Sequence, residues 1–389
     1  MKVVALAAYH VRIPLYRAIQ HATQFRTETD NVVVRCELAD GTVGWGEGVP
    51  RDYVTGETTD TALSLLKASA LAGQLGDWKD LPAVAVGAER LALKPVPGDD
   101  RGIGGNAARC AVELAVLDAF GRHFGAPLSR LVQLLAPDLW SPRPTVRYSA
   151  AVTKARGWKS HVYPLAIRLM GFEQLKLKVG IPGIDDVART ARVRRRMGPR
   201  MDLRIDANEA WTPDAMPDRL GELLPFDISC VEQPVPHEQV AALAAVRKRI
   251  TTPVMLDESL CSRVDAERAV AGGWCDAFNL RLSKCGGFIP TLRLAQFAAA
   301  HGLFCQLGCQ VGETGILSAA GRHFATSVSG LRYLEGSYDR HLVRNHLTVE
   351  DITFARGGLA PALTRPGLGV TVDPVKLDAA TVRREVLLG

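Results

Sequence analysis

Five charged residues recur at 25- to 28-residue intervals through the middle of this 389-residue chain: Lys178, Asp206, Glu232, Asp257 and Lys284. Each follows or ends a short apolar run: Leu175-Lys176-Leu177-Lys178, Leu203-Arg204-Ile205-Asp206, Cys230-Val231-Glu232, Val254-Met255-Leu256-Asp257 and Asn279-Leu280-Arg281-Leu282-Ser283-Lys284. Asp206, Glu232 and Asp257 form a set of hard oxygen donors with no histidine or cysteine among them, which suits Mg2+. Lys176 and Lys178 lie two apart on a strand and share one face. On an inward face, two amines need carboxylates or a bound anion to compensate them. On that reading Lys178 is a proton-transfer base, with Lys176 nearer the metal as its helper, lowering the pKa of Lys178 by like-charge proximity. On the plainer reading both lysines sit in water on an edge strand. Lysines on opposite walls of a cation site suit abstraction of a proton beside a carboxylate, the metal taking up the charge that grows on the oxygens of an enediolate. Charge and spacing yield this reaction class and leave the substrate open.

The elements that must position these residues follow from the interval. A barrel of eight strand-helix units in about 250 residues has roughly 31 residues per unit, and its active site lies at the carboxyl ends of its strands. Alternating strands and helices, the mark of a parallel sheet, run from Thr145 to about Arg340. Candidate strands are Val146–Ala150, Gln174–Val179, Asp202–Asp206, Ser229–Glu232, Pro253–Asp257, Ala277–Leu282, Phe304–Leu307 and Arg332–Glu335. The expected fold class is therefore α/β, a modified (β/α)8 TIM-type barrel, with Lys178 ending the second strand and Lys284 the sixth, diametrically opposite. Before the barrel, Asn31–Leu38 and Val43–Glu47 flank Asp40-Gly41, a hairpin signal. Polar loops are expected at Arg17–Asp30 and Pro50–Glu57, a helix beginning near Thr58 and capped by Thr59 or Asp60 after the second, and a longer helix over Asn106–Phe124. After Thr348 the chain turns β again and is expected to pack back on the N-terminal region. The domains expected are 1–135, an α+β unit; 145–345, the barrel; and 348–389, the returning tail.

Composition narrows the function classes. A hydrophobic share of 47% and a charged share of 23% are those of an ordinary globular chain with a sizeable core. The net charge of +6 is spread out except at Arg192–Arg196, read as the solvated end of a helix. No aromatic interleaving or nucleic-acid signature accompanies that run, so no nucleic-acid partner is expected. The eight cysteines have no two-residue gap of a zinc or redox motif and are read as reduced, small buried hydrophobes. Met1–His10 is too short and strand-like for a signal peptide, and no run reaches the roughly 18 apolar residues of a membrane span. A cytoplasmic location with no membrane partner is expected.

The pattern Lys176-x-Lys178, Asp206-x-Asn208, Glu232-Gln233-Pro234, Asp257-Glu258 and Lys284-x-Gly286-Gly287 resembles the enolase superfamily, specifically its muconate-lactonizing-enzyme subgroup. Gly44-Trp45-Gly46-Glu47 and Tyr53–Thr58 resemble that family's α+β capping domain, whose two loops close over the substrate. The resemblance implies Asp206, Glu232 and Asp257 as magnesium ligands, Lys178 and Lys284 as the acid/base pair and Lys176 as helper. It implies an isomerase, most simply a racemase or epimerase of an amino-acid or dipeptide-like acid. Cycloisomerisation or elimination of water on the same site are the alternatives, and a non-catalytic binding protein on the same barrel is a more distant one. A small carboxylate substrate and a homo-oligomer are implied.

Dipeptide epimerases of this family carry Asp-x-Asp after the eighth strand to hold the substrate ammonium; here the matching stretch is Ser337-Tyr338-Asp339, with serine at the first acid. Tyr53 on a capping loop, Cys309 and Glu313 after the seventh strand, and Ser337 and Asp339 are expected at the substrate. Glu313 either orients the site or caps the next helix. Asn208 meets the metal shell or substrate, or is a turn residue. Glu258 either meets the region of Lys284 or is a helix N-terminal acid.

Overall fold

A computed structural model describes residues 1–20, 25–153 and 159–389. Strands β1 (Val3–Gln20) and β2 (Phe25–Leu38) form one long antiparallel hairpin, paired from Val3↔Leu38 to Gln20↔Phe25. The polar stretch Arg17–Asp30 is thus mainly strand, not loop, apart from residues 21–24, which lie outside the described residues. Its polarity misled because strand pairing is made by backbone groups, so exposed residues such as Arg17 and Thr27 need no apolar alternation to lie on paired strands. The turn at Asp40-Gly41 leads into β3 (Val43–Gly48), with Gly41 at φ +83°, a conformation that favours glycine.

Gly44, Gly46 and Gly48 alternate along β3 and share one face. A Cβ on them would lie 2.1, 2.1 and 1.9 Å from the backbone of helix Asn106–His123. The glycines therefore let that helix, apolar over most of its circumference, seat directly on the strand. Helix Thr59–Ala68 begins close to the expected Thr58, but its cap is Thr58 rather than Thr59 or Asp60, in a reciprocal capping box with Thr61.

Strand β4 (Thr145–Arg147) leads to the barrel: β5 (Ala150–Val152), β6 (Gln174–Lys178), β7 (Asp202–Asp206), β8 (Ile228–Glu232), β9 (Val254–Leu256), β10 (Ala277–Leu280), β11 (Phe304–Leu307) and β12 (Leu331–Leu334). These eight, β5 to β12, run parallel in sequence order, and Ser149 N–H donates to Leu334 O at 2.8 Å across the seam. The candidate first strand Val146–Ala150 is corrected here. Its start, β4, pairs with β13 (Leu359–Pro361), and the barrel strand begins only at Ala150. The chain changes sheets at Tyr148-Ser149, whose N–H groups bond to Gly358 O and Leu334 O respectively. A continuous β-like pattern across the switch gave no sign of it.

The tail ends in β14 (Thr381–Leu388), the outer strand of the sheet β14-β1-β2-β3. Buried apolar residues from this sheet, helix Asn106–His123 and the barrel form one contiguous core. A smaller cluster of Cys230, Met255, Ala277 and Tyr333 has its own packing. No helix among the described residues is long and apolar enough to cross a membrane.

Candidate active site

Alternation along the barrel strands builds a polar layer beneath the mouth. Lys176, Arg204, Glu232, Asn279 and Gln306 are buried, each at most 6% exposed. Such an interior is costly unless each charge is paired, and here each is. Lys176 Nζ lies 2.8 Å from Glu335 Oε2 and 3.3 Å from both Asp206 Oδ2 and Glu232 Oε1. Burial opposes its charge, but Glu232, Glu335 and Asp206 outweigh that and hold its pKa above the ordinary lysine value. Arg204 pairs with Glu335 and stacks over Tyr333, 4.6 Å from the ring centroid. Asn279 Nδ2 donates to Glu232 Oε1 at 2.7 Å. Even so, burial first, then the acidic neighbours Asp206, Glu335 and Asp257, raise Glu232 to about 7 despite Lys176.

The three acids lie on adjacent strands: Asp206 and Glu232 are direct register partners at the ends of β7 and β8, and Asp257 follows β9. Asp257 is engaged elsewhere. It pairs with Arg281, and Lys284 Nζ donates to its Oδ1 at 2.9 Å. Despite burial, those two cations hold Asp257 well below the usual carboxylate range. Among the described residues no three His, Cys, Asp or Glu side chains converge closely enough to hold an ion. As donors, three buried carboxylates on neighbouring strand ends still match a hard divalent cation.

Lys178 ends β6, second in the ring; Lys284 follows β10, sixth of eight. Lys284 does not end its strand, which stops at Leu280, but sits four residues later in a turn. Its Nζ donates to Asp257 Oδ1, Asp257 O and Asn279 O at 2.9, 2.7 and 2.8 Å, three acceptors for three ammonium hydrogens. Lys178 Nζ donates to Asn208 Oδ1 at 2.5 Å, and Asn208 Nδ2 donates to Glu258 Oε1 at 3.2 Å. Glu258 thus meets Asn208 rather than Lys284. Nor does it start a helix: the next one, Arg263–Gly272, is capped by Ser262. Burial and Asp257 push Glu258 up to about 8.

Three of the remaining expected residues, Cys309, Glu313 and Ser337, share one small cavity. Cys309 and Glu313 are half-buried there, and Tyr148 and Glu335 line it with them. Glu313 does not cap helix Gly315–Ser327, a role taken by Thr314; it accepts from Gln310 N–H, and burial pushes it to about 8. Ser337 Oγ accepts from Arg322 Nη2 at 2.9 Å. Asp339 is 2% exposed, neither carboxylate oxygen has a hydrogen-bond partner among the described residues, and burial raises it to about 6. Tyr53 sits in a short helical turn, Asp52–Thr55, inside the expected loop, with Arg26 over its ring at 5.8 Å.

Sequence reasoning missed Arg204, Arg281 and Glu335. For two of them a signal existed: Arg204 is two residues before Asp206 and shares its face, and Glu335 ends the eighth candidate strand as the other acids end theirs.

The capping sheet is fastened to the barrel by Glu47. Its carboxylate accepts from Asn31 Nδ2 at 2.7 Å, Thr314 Oγ1 at 2.7 Å, Thr314 N–H at 3.0 Å and Leu317 N–H at 2.9 Å, closing the amino end of helix Gly315–Ser327.

Comparison with known proteins matches this architecture along the chain. Residues 165–376 match the family model for enolase C-terminal domain-like proteins, and residues 4–133 that for the mandelate racemase / muconate lactonizing enzyme N-terminal domain. An N-succinyl-L-Arg/Lys racemase from Bacillus cereus is 26% identical, with 100% of both chains covered. The crystal structure of that Bacillus cereus racemase superposes with a TM-score of 0.86 at 25% identity, covering 99% of this chain and 100% of that one. A hydrophobic dipeptide epimerase from Enterococcus faecalis is 31% identical over 77% of this chain and 79% of that one. A dipeptide epimerase from Cytophaga hutchinsonii, solved with Mg and D-Ala-L-Val, superposes with a TM-score of 0.84 at 25% identity, with both chains fully covered (100% each). Barrel, capping sheet and matched models together make this chain a member of the mandelate racemase/muconate lactonizing enzyme family of the enolase superfamily.

Proposed function

We propose that the protein is a magnesium-dependent isomerase that moves the α-proton of an N-substituted amino acid or dipeptide from one face of the carbon to the other. The observation that carries this is the placement of Lys178 and Lys284 four strands apart in a ring of eight, with carboxylates on the strands between them. Asp206, Glu232 and Asp257 would hold the cation, which when bound supplies the Lewis acidity that makes a proton beside a carboxylate removable. Lys284, with three acceptors around its Nζ, is set as an ammonium that delivers a proton. Lys178 as free amine takes the α-proton; the C–H electron pair moves into the substrate carboxylate as an enediolate, and the ammonium on the other face returns a proton to carbon. In the reverse direction the two exchange roles. Lys176, held by three carboxylates, supplies fixed positive charge to the floor of the site.

The buried oxygens of Asp339 are the acceptors a substrate N–H or ammonium would use. Cys309, Glu313, Ser337 and Tyr53 would shape the pocket, which the relatives' substrates, N-succinyl-Arg/Lys and dipeptides, suggest is open to an extended acid. The test is a panel of N-succinyl amino acids and dipeptides in D2O. Magnesium-dependent deuterium uptake at the α-carbon, with both epimers formed, is expected; product formation with no α-exchange from any member overturns the proposal.

A further inference from the structure

We infer that Glu258 and Asn208 are positioning residues for Lys178 alone, and that their loss disables one face of the reaction and spares the other. The inference rests on the two-lysine reading above.

An amide side chain is two-sided, with an acceptor oxygen and a donor nitrogen that exchange places on a half-turn. In Asn208 the oxygen accepts from Lys178 Nζ at 2.5 Å and the nitrogen donates to Glu258 Oε1 at 3.2 Å. Glu258 therefore sets which end of the amide faces the lysine. With that acceptor removed, the amide is free to turn its NH2 toward Nζ: it then offers the ammonium no acceptor, and toward the free amine it donates to the lone pair that must take the α-proton. Glu258 is itself well anchored. It is 4% exposed, its main-chain oxygen accepts from Arg101 Nη2 at 3.1 Å, and Arg101 is tied to Asp265 at 2.9 Å. Its second oxygen, Oε2, has no hydrogen-bond partner among the described residues. Asn208 is fixed from its own backbone as well. Its φ of +42° lies in the left-handed region that asparagine tolerates, and its N–H donates to Asp206 Oδ1 at 3.0 Å. Lys284 is held differently, its Nζ satisfied by Asp257 and Asn279.

A residue needed only for folding or cation binding would slow both faces equally. The experiment follows α-deuterium exchange with magnesium, starting separately from each enantiomer of N-succinyllysine and each epimer of Ala-Leu at its C-terminal residue. Lys178→Ala first identifies the enantiomer whose proton Lys178 removes. Glu258→Leu is expected to lower exchange from that enantiomer at least ten-fold more than from its mirror image. Glu258→Gln, whose amide oxygen accepts the same bond, recovers most of the loss. Equal losses from both enantiomers, or a Gln variant no better than Leu, overturn the inference. Absence of asymmetry in Lys178→Ala itself would instead overturn the two-lysine reading. Should none of the four probes exchange, neutron structures of wild type and Glu258→Leu, which tell the amide oxygen from its deuterated nitrogen, decide: the inference requires Asn208 Oδ1 to leave Lys178 Nζ in the variant, and its staying there refutes it.

Discussion

Removing the Glu47 carboxylate should loosen the joint between capping sheet and barrel by an amount that depends on pH in a defined direction. Glu47 is fully buried at 0% exposure. In Glu47→Ala, the N–H groups of Thr314 and Leu317 lose their acceptor, whereas Asn31 Nδ2 keeps Gly312 O at 2.8 Å. Each stranded buried donor costs about 1–3 kcal/mol, giving a loss of about 2–6 kcal/mol, a large part of the roughly 5–15 kcal/mol that holds a typical native fold. Burial raises the Glu47 pKa to about 6 from 4.5, against the hydrogen bonds it accepts. Because the folded value lies above the unfolded one, this group's contribution is complete below pH 4.5 and declines as pH rises through 6, by about 2 kcal/mol in all. The alanine variant lacks this titration. The gap between wild type and variant should therefore be about 1 kcal/mol larger at pH 5 than at pH 8. Urea unfolding followed by tryptophan fluorescence at both pH values measures it. A loss below 1 kcal/mol, or a gap that widens toward pH 8, would refute the reasoning.

Two further outcomes are expected. Gly46→Ala would place a Cβ 2.1 Å from Ala111 O and 2.4 Å from Ala115 N, backbone atoms that have no rotamer to escape to; a loss of about 3 kcal/mol or more in the same urea titration is expected, and a wild-type midpoint would contradict the seating of the helix on β3. Asp206→Asn leaves Lys176 with Glu232 and Glu335 as partners, so the fold should persist while calorimetry shows magnesium binding at least ten-fold weaker; unchanged affinity would remove Asp206 from the ligand set.

The fold was legible because strand ends in a parallel barrel repeat at a fixed interval and charged residues stand out at the end of apolar runs. Lys176, Lys178, Asp206 and Glu232 needed nothing else to be placed on β6, β7 and β8. Arg204 shares the face of Asp206, but its role is set by Glu335 and Tyr333 across the closed ring, partners that its own strand does not show. The sheet switch at Tyr148-Ser149 left no trace, since both halves of the run suit a strand. The partners of Glu258 and Glu313 were beyond reach for another reason. Each residue offers several acceptors at the end of a flexible side chain, and the choice among nearby donors depends on loop backbone such as the left-handed Asn208. The hairpin at Arg17–Asp30 shows the converse error, in which polar composition concealed a paired strand.

The central claim is that amines on opposite sides of the barrel each serve one face of a carbon. The most direct measurement is α-deuterium exchange by Lys178→Ala and Lys284→Ala, with magnesium, on each enantiomer of a substrate that the wild type epimerises. Each variant should lose epimerisation entirely while retaining exchange from one enantiomer, the two variants retaining opposite ones. Loss of all exchange in one variant with both enantiomers still exchanging in the other would reveal one-base chemistry and contradict the account.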